Sequence, residues 1–139
     1  MKFNIREFRD EDTNFAISTW LRSFYSNQTG YKEPSKVFFH EHQKQIKKLW
    51  NDKKLFCYLA VSPEDEDIIL GFAVFGIDYT LHYVCVKEVY KRLGVARALL
   101  NMFYKNRSEI ITSHWTKDCA HLNKIYKLNY NRYRFYTQG

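Results

Sequence analysis

Apolar residues recur along this chain in two rhythms, one of period two and one of period three to four, and they alternate in an order that predicts the architecture. "FNIREF" alternates as a short strand does. "RDEDTNFAISTWLRSFY" then opens on acids and sets Ala16, Trp20, Leu21 and Phe24 on one helical face. "SNQTGYKE" reads as a loop. Pro34 and Ser35 open a second helix carrying Phe38, Phe39, His42, Ile46, Leu49 and Trp50 at helical spacing, with its end near Asn51. "KLFCYLAVS", "IILGFAVFGI" and "YTLHYVCV" are three apolar runs of strand length, joined by little more than turn residues, and predict an antiparallel meander. A helix from Gly94 to Lys105 follows, with Val95, Ala98, Leu99, Met102 and Phe103 facing inward. A strand at "EIITSHW", a last helix near "KDCAHLNKIYKL" and a last strand near "NRYRFYT" complete the order βααβββαβαβ. The fold class is α/β (α+β), with no internal repeat.

The 139 residues predict a single domain spanning 1–139, and 45% hydrophobic with 18% aromatic content excludes wholesale disorder. Cys57, Cys85 and Cys119 are odd in number and form no CxxC pair, which argues against a disulfide framework or a zinc site and fits a reducing compartment. His40 and His42 stand two apart on a predicted helix, so they do not share a face and suggest no metal. The N-terminus lacks a signal-like apolar region, and the longest apolar run is ten residues, about half a membrane span. The expected location is the cytoplasm, without a membrane partner. A formal charge of +7 calls for an anionic partner. The basic residues are dispersed among acids rather than gathered in one block, which argues against nucleic acid as that partner and leaves a small basic nucleic-acid-binding protein as a rival.

One stretch points at chemistry: "VKEVYKRLGVARALL", Val86 to Leu100, where a strand turns into a helix. The first N–H groups of a helix lack partners, and the helix dipole adds partial positive charge at the same place. Gly94 lets the backbone approach an anion closely, Ala96 is small, and Lys87, Lys91, Arg92 and Arg97 surround the turn. A pyrophosphate fits such a cradle. The plain alternative is a glycine that eases a helix start beneath a solvated basic face.

The same stretch resembles the acetyl-coenzyme A signature of the GNAT N-acetyltransferase superfamily, V-x-P-x-Y-R/Q-x-x-G-x-G/A followed by a Leu-Leu pair. Val86, Tyr90, Gly94, Ala96, Leu99 and Leu100 match it. Glu88 replaces the frequent Pro, and Lys91 replaces Arg or Gln, keeping the charge without the guanidinium geometry. The order of elements resembles the family over nearly all of the chain. The resemblance implies a mixed central sheet flanked by helices, with the fourth and fifth strands splayed around the pantetheine of acetyl-coenzyme A. It implies further that Val84, Cys85 and Val86 bond the pantetheine, while Lys91, Arg92, Leu93, Gly94, Val95, Ala96 and Arg97 hold the pyrophosphate. The implied activity is acetyl transfer to an amine-bearing substrate.

An amine with pKa near 10 must lose a proton before it attacks a thioester, and the departing thiolate gains from a donor. The family often supplies that donor as a Tyr on the fourth helix within N-x-x-A-x-x-x-Y. Here Tyr126 takes that place if Cys119 and Leu122 stand for Asn and Ala, and Asn129-Tyr130 follows one residue too early for the usual Gly-Phe. The alternative puts Ile125 at the Tyr position. His114, at the end of the fifth strand, is the candidate base. His82 falls on the opposite face from Tyr83 and Cys85 by simple alternation. Cys85 is a packing residue by its setting. A non-catalytic GNAT-fold binding module is the second rival, favoured by the departures in the fourth-helix motif.

Overall fold

The computed structural model describes residues 2–26, 35–104, 109–115 and 117–135. The expected loop over 27–33, the opening of the second helix at Pro34, the helix end at Lys105 and the end of "NRYRFYT" lie outside them. So do the side chains of Phe24 and Phe38.

Six strands form one sheet in the order β1 (Asn4–Glu7), β2 (Leu55–Val61), β3 (Ile69–Gly76), β4 (Leu81–Val86), β5 (Glu109–Thr112) and β6 (Lys127–Tyr130). Pairing is antiparallel from β1 to β4 and parallel from β4 through β5 to β6, so the meander closes on two crossover units. Helices α1 (Thr13–Ser26) and α2 (Ser35–Asn51) cover one face, and α3 (Val95–Tyr104) and α4 (Lys117–Leu122) the other. Strand β3 is buried along its whole length, which explains why "ILGFAVFG" is apolar without alternation.

The entry to α1 is fixed by charge. Arg6 donates to both carboxylate oxygens of Asp12, at 2.8 and 3.0 Å, and the Arg9 N–H donates to the same carboxylate at 2.9 Å. Ala16, Ile17, Trp20 and Leu21 of α1 meet Ile46 and Leu49 of α2 over Leu59, Phe72, Val74 and Tyr83 of the sheet. On the other face Val95, Leu99, Leu100 and Tyr104 of α3 are buried, whereas Met102 is 52% exposed. The inward stripe of α3 is therefore rotated from the one the sequence predicts.

Three local differences bear on the site. The last helix stops at Leu122, because the Lys124 and Ile125 N–H groups tighten to i−3 bonds on the His121 and Leu122 carbonyls, at 3.1 and 3.0 Å, and the Asn123 side chain accepts the Leu128 N–H at 3.0 Å, turning the chain into a strand. That strand is "KLNY" rather than "NRYRFYT", and "RYRF" is a 3-10 turn opened by the Asn131 side chain, which accepts the Tyr133 N–H at 3.1 Å. The β3–β4 register shifts at the start of β4: Tyr83 pairs with Val74 and Leu81 with Phe75, leaving His82 as an extra residue. A bulge breaks the alternation, so His82 and Tyr83 both reach Trp20 of α1, with ring centroids 6.3 and 6.1 Å away.

Candidate functional site

Strands β4 and β5 share a single rung, Leu81 with Thr112. The Leu81 carbonyl accepts both the Ser113 N–H (3.0 Å) and the Thr112 hydroxyl (2.9 Å), and beyond it the two strands pair no further among the described residues. The backbone of β4 from His82 to Val86 thus faces an open fork, into which an extended ligand could add as a strand.

Downstream of the fork, the chain makes a 3-10 turn over Glu88–Tyr90 and enters α3. Ala98 is the first residue to bond back, to the Gly94 carbonyl at 3.0 Å, so the N–H groups of Val95, Ala96 and Arg97 are the orphan donors of the helix start. Gly94 has φ +81°, and a Cβ there would meet nothing within 4 Å, so the space above this turn is open. Arg92 also holds a left-handed φ, +69°, without a glycine's freedom.

This turn walls a groove of about 810 Å³ lined by Val86, Glu88, Tyr90, Lys91, Arg92, Gly94, Val95, Ala96 and Arg97, with His121, Leu122 and Ile125 from α4 and the turn after it. Donors, open space over Gly94 and cations are the features that a pyrophosphate requires. Lys91 is paired with Glu88 at 3.2 Å, so part of its charge is met by an exposed carboxylate on the rim. Of the other expected cofactor residues, Leu93 is 38% exposed beside the turn. The Val84 side chain packs in the α3-side core and Cys85 packs toward α1, while their backbone runs along the fork. The groove residues Glu88, His121, Leu122 and Ile125 were not singled out as ligand contacts by the sequence. Only their approach to the α3 turn brings them in.

His114 follows β5 at the fork and is buried. Its ring lies against Trp20 (5.6 Å) and Phe135 (4.7 Å), and the Ser113 hydroxyl is 2.7 Å from its Nδ1. Burial pushes its pKa well below the ordinary 6.5, and the neighbouring His82 and His42 push the same way; the ring is neutral at physiological pH. Trp20 Nε1, buried beside His82 and His114, has no hydrogen-bond partner among the described residues.

Tyr126 lies past the end of α4, in the turn before β6. Its hydroxyl donates to Asn101 of α3, and burial raises its pKa, with Arg97 opposing. It packs in the α3–α4 core, whereas the His114 ring packs on the α1 side, so the structure does not bring these two residues together. His40 is exposed and His42 stacks on Phe135 at 6.1 Å; no cluster of three metal-ligating side chains occurs among the described residues.

A family model described as the acetyltransferase (GNAT) family matches residues 15–138. No curated protein matches the sequence. Among solved structures, a candidate acetyl transferase from Pyrococcus furiosus superposes with a TM-score of 0.60 at 15% identity, covering 94% of this chain and 82% of its own. A candidate acetyltransferase from Clostridium acetobutylicum, solved with acetyl-CoA, gives 0.54 at 13% identity, with 98% and 89% covered. The PaiA N-acetyltransferase of Thermoplasma acidophilum, in complex with coenzyme A, gives 0.50 at 17% identity, with 76% and 71% covered.

Proposed function

Because the chain belongs to the GNAT acetyltransferase family, we propose that it is an acetyl-coenzyme A-dependent N-acetyltransferase, acting as a single domain and moving an acetyl group to an amine acceptor. The observation that carries this reading is the continuity of the β4–β5 fork with the open turn at Gly94. In this reading the β4 backbone from Val84 to Val86 bonds the pantetheine. The N–H groups from Arg92 to Arg97 hold the pyrophosphate, and Lys91, Arg92 and Arg97 add charge. Bound there, acetyl-coenzyme A supplies a thioester carbonyl to the fork. The chain's own work is to exclude water, orient the acceptor and move protons.

His114 is the proposed base. A neutral imidazole can take the amine proton, and its burial keeps it in that form. Tyr126 is the proposed donor on the family pattern alone. Burial holds its hydroxyl protonated, the form that a donor needs, and to act it must leave Asn101. The three free cysteines support a reducing compartment, and the cytoplasm is the proposed location.

The test is thiol release from acetyl-coenzyme A over a panel of peptides, polyamines and aminoglycosides. Turnover on at least one acceptor is expected. Binding of acetyl-coenzyme A with no turnover on any acceptor would instead favour a non-catalytic GNAT-fold module, the reading that the engagement of Tyr126 by Asn101 supports.

A further inference from the structure

Phe135 closes the α1 side of the fork. It is the buried residue of the 3-10 turn Arg132–Phe135, and its ring lies against four others brought by four separate elements: Trp20 of α1 (5.7 Å), His42 of α2 (6.1 Å), His82 of β4 (5.7 Å) and His114 after β5 (4.7 Å). Two of these rings come from the strands that part at the fork. The cofactor groove is walled by α3, α4 and the turns beside them, on the other face of the sheet. Donor and acceptor can thus reach the fork from opposite sides.

The box is ill matched to the ring that it holds. Apolar packing calls for no indole N–H, yet Trp20 is fully buried and its Nε1 has no hydrogen-bond partner among the described residues. A phenyl ring offers that donor no lone pair, whereas a ring that carries an oxygen does. The turn that supplies Phe135 is tied at its two ends. At its base the Asn131 N–H donates to the Thr112 carbonyl at 2.8 Å, and at its far end Gln45 Nε2 donates to the Phe135 carbonyl at 3.1 Å, with Arg134 Nε 3.7 Å from an Asp78 carboxylate oxygen. Arg132 and Tyr133 are exposed, so Phe135 is the anchor of a surface turn. Segments of this kind open locally at less cost than the whole fold.

We propose that Phe135 is a stand-in for the acceptor: the box of Trp20, His42, His82 and His114 is the acceptor subsite, its substrate class is a phenolic arylalkylamine, and the ring of that amine displaces Phe135 as the turn swings out. The inference deepens the N-acetyltransferase reading and rests on it. The incoming ring lies where the phenyl ring now lies, its hydroxyl oxygen accepts from Trp20 Nε1, and its alkyl arm carries the amine past His114 into the fork.

Aromatic rings at 4.7 to 6.1 Å favour an aryl occupant over an aliphatic chain. The face of Trp20 also suits the cationic form in which an amine arrives. Polyamines and aminoglycosides carry no aryl group and are poor occupants of this box.

The test is ¹⁹F NMR on the full chain labelled with fluorophenylalanine, with tyramine as the probe and the Phe135 signal identified by its loss in Phe135→Leu. Tyramine should move that signal to the position of a solvent-exposed ring, and butylamine, an amine without a ring, should not. Phenethylamine should bind about twofold to tenfold more weakly than tyramine, the scale of one hydrogen bond, and Trp20→Phe should bring the two affinities together. Gln45→Ala loosens the turn without altering the box and should tighten tyramine binding. A Phe135 signal indifferent to tyramine in both the wild type and Gln45→Ala would overturn the proposal, as would equal displacement by butylamine. Thermal shift with acetyl-coenzyme A judges the enzyme reading separately. Displacement of Phe135 by tyramine without cofactor binding would keep the box as an arylamine site and sink the acetyltransferase reading, whereas turnover on aliphatic amines with Phe135 in place would overturn this inference alone.

Discussion

Arg92 and Gly94 both hold left-handed backbone angles, +69° and +81°, but only one of them is a glycine. A side chain in that region costs about 1–2 kcal/mol, and the residue that bears the strain is a cation on the candidate groove, which is where strain is retained for use. Arg92→Gly is therefore expected to raise stability by up to about 1 kcal/mol while weakening acetyl-coenzyme A binding, read by urea melts and calorimetry on the same protein. Acid should destabilise the fold in two windows. His114 stays neutral when folded but takes a proton below about pH 6.5 when unfolded, so stability is lost as pH falls from there. Asp12, held below the ordinary 3.8 chiefly by its hydrogen bonds from Arg6, contributes stability above that value which is lost as pH falls through its folded pKa. Melts from pH 7 to pH 3 should show both windows, with His114→Gln abolishing the first and Asp12→Asn the second. Tyr126→Phe is expected to lower kcat by roughly 10²-fold with acetyl-coenzyme A affinity unchanged; an unchanged kcat would assign the hydroxyl to Asn101 alone.

Elements were legible in the sequence wherever periodicity was long and unopposed. The order of ten, the β2–β4 meander and the turn before α3 could all be read from apolar spacing and one glycine. What escaped was decided by contacts that periodicity does not encode. Alternation put His82 opposite Tyr83, whereas the bulge opposite Val74 and Phe75 swings it to the α1 face and into contact with Trp20 and Phe135. The end of α4 was lost to Asn123, a side chain that closes a turn by accepting the Leu128 N–H, inside a stretch whose composition still suits a helix. Gly71 shows the same dependence on contact: a Cβ there would stand 2.6 Å from the Cys85 carbonyl and 3.1 Å from the Val86 Cα, both backbone atoms of the strand that leads into the groove. Gly71→Ala should cost about 1–3 kcal/mol in urea melts and weaken acetyl-coenzyme A binding by displacing Val86.

Across the whole molecule, the +7 charge attracts anions in general, and the groove makes one kind specific. Glu88, an acidic residue on its rim, opposes that attraction from a position where the family often has Pro. Glu88→Gln should tighten acetyl-coenzyme A binding by about twofold to fivefold at low salt, with the gain fading as salt screens an exposed charge. The groove at Gly94 carries the proposed cofactor site, and calorimetry of acetyl-coenzyme A with the wild type and Gly94→Asp tests that site most directly. One molecule per chain should bind the wild type and keep binding at physiological salt. Gly94→Asp, which sets a carboxylate and a strained Cβ over the helix start, should lose that affinity. No heat at millimolar acetyl-coenzyme A, or equal affinity in the folded variant, would contradict it.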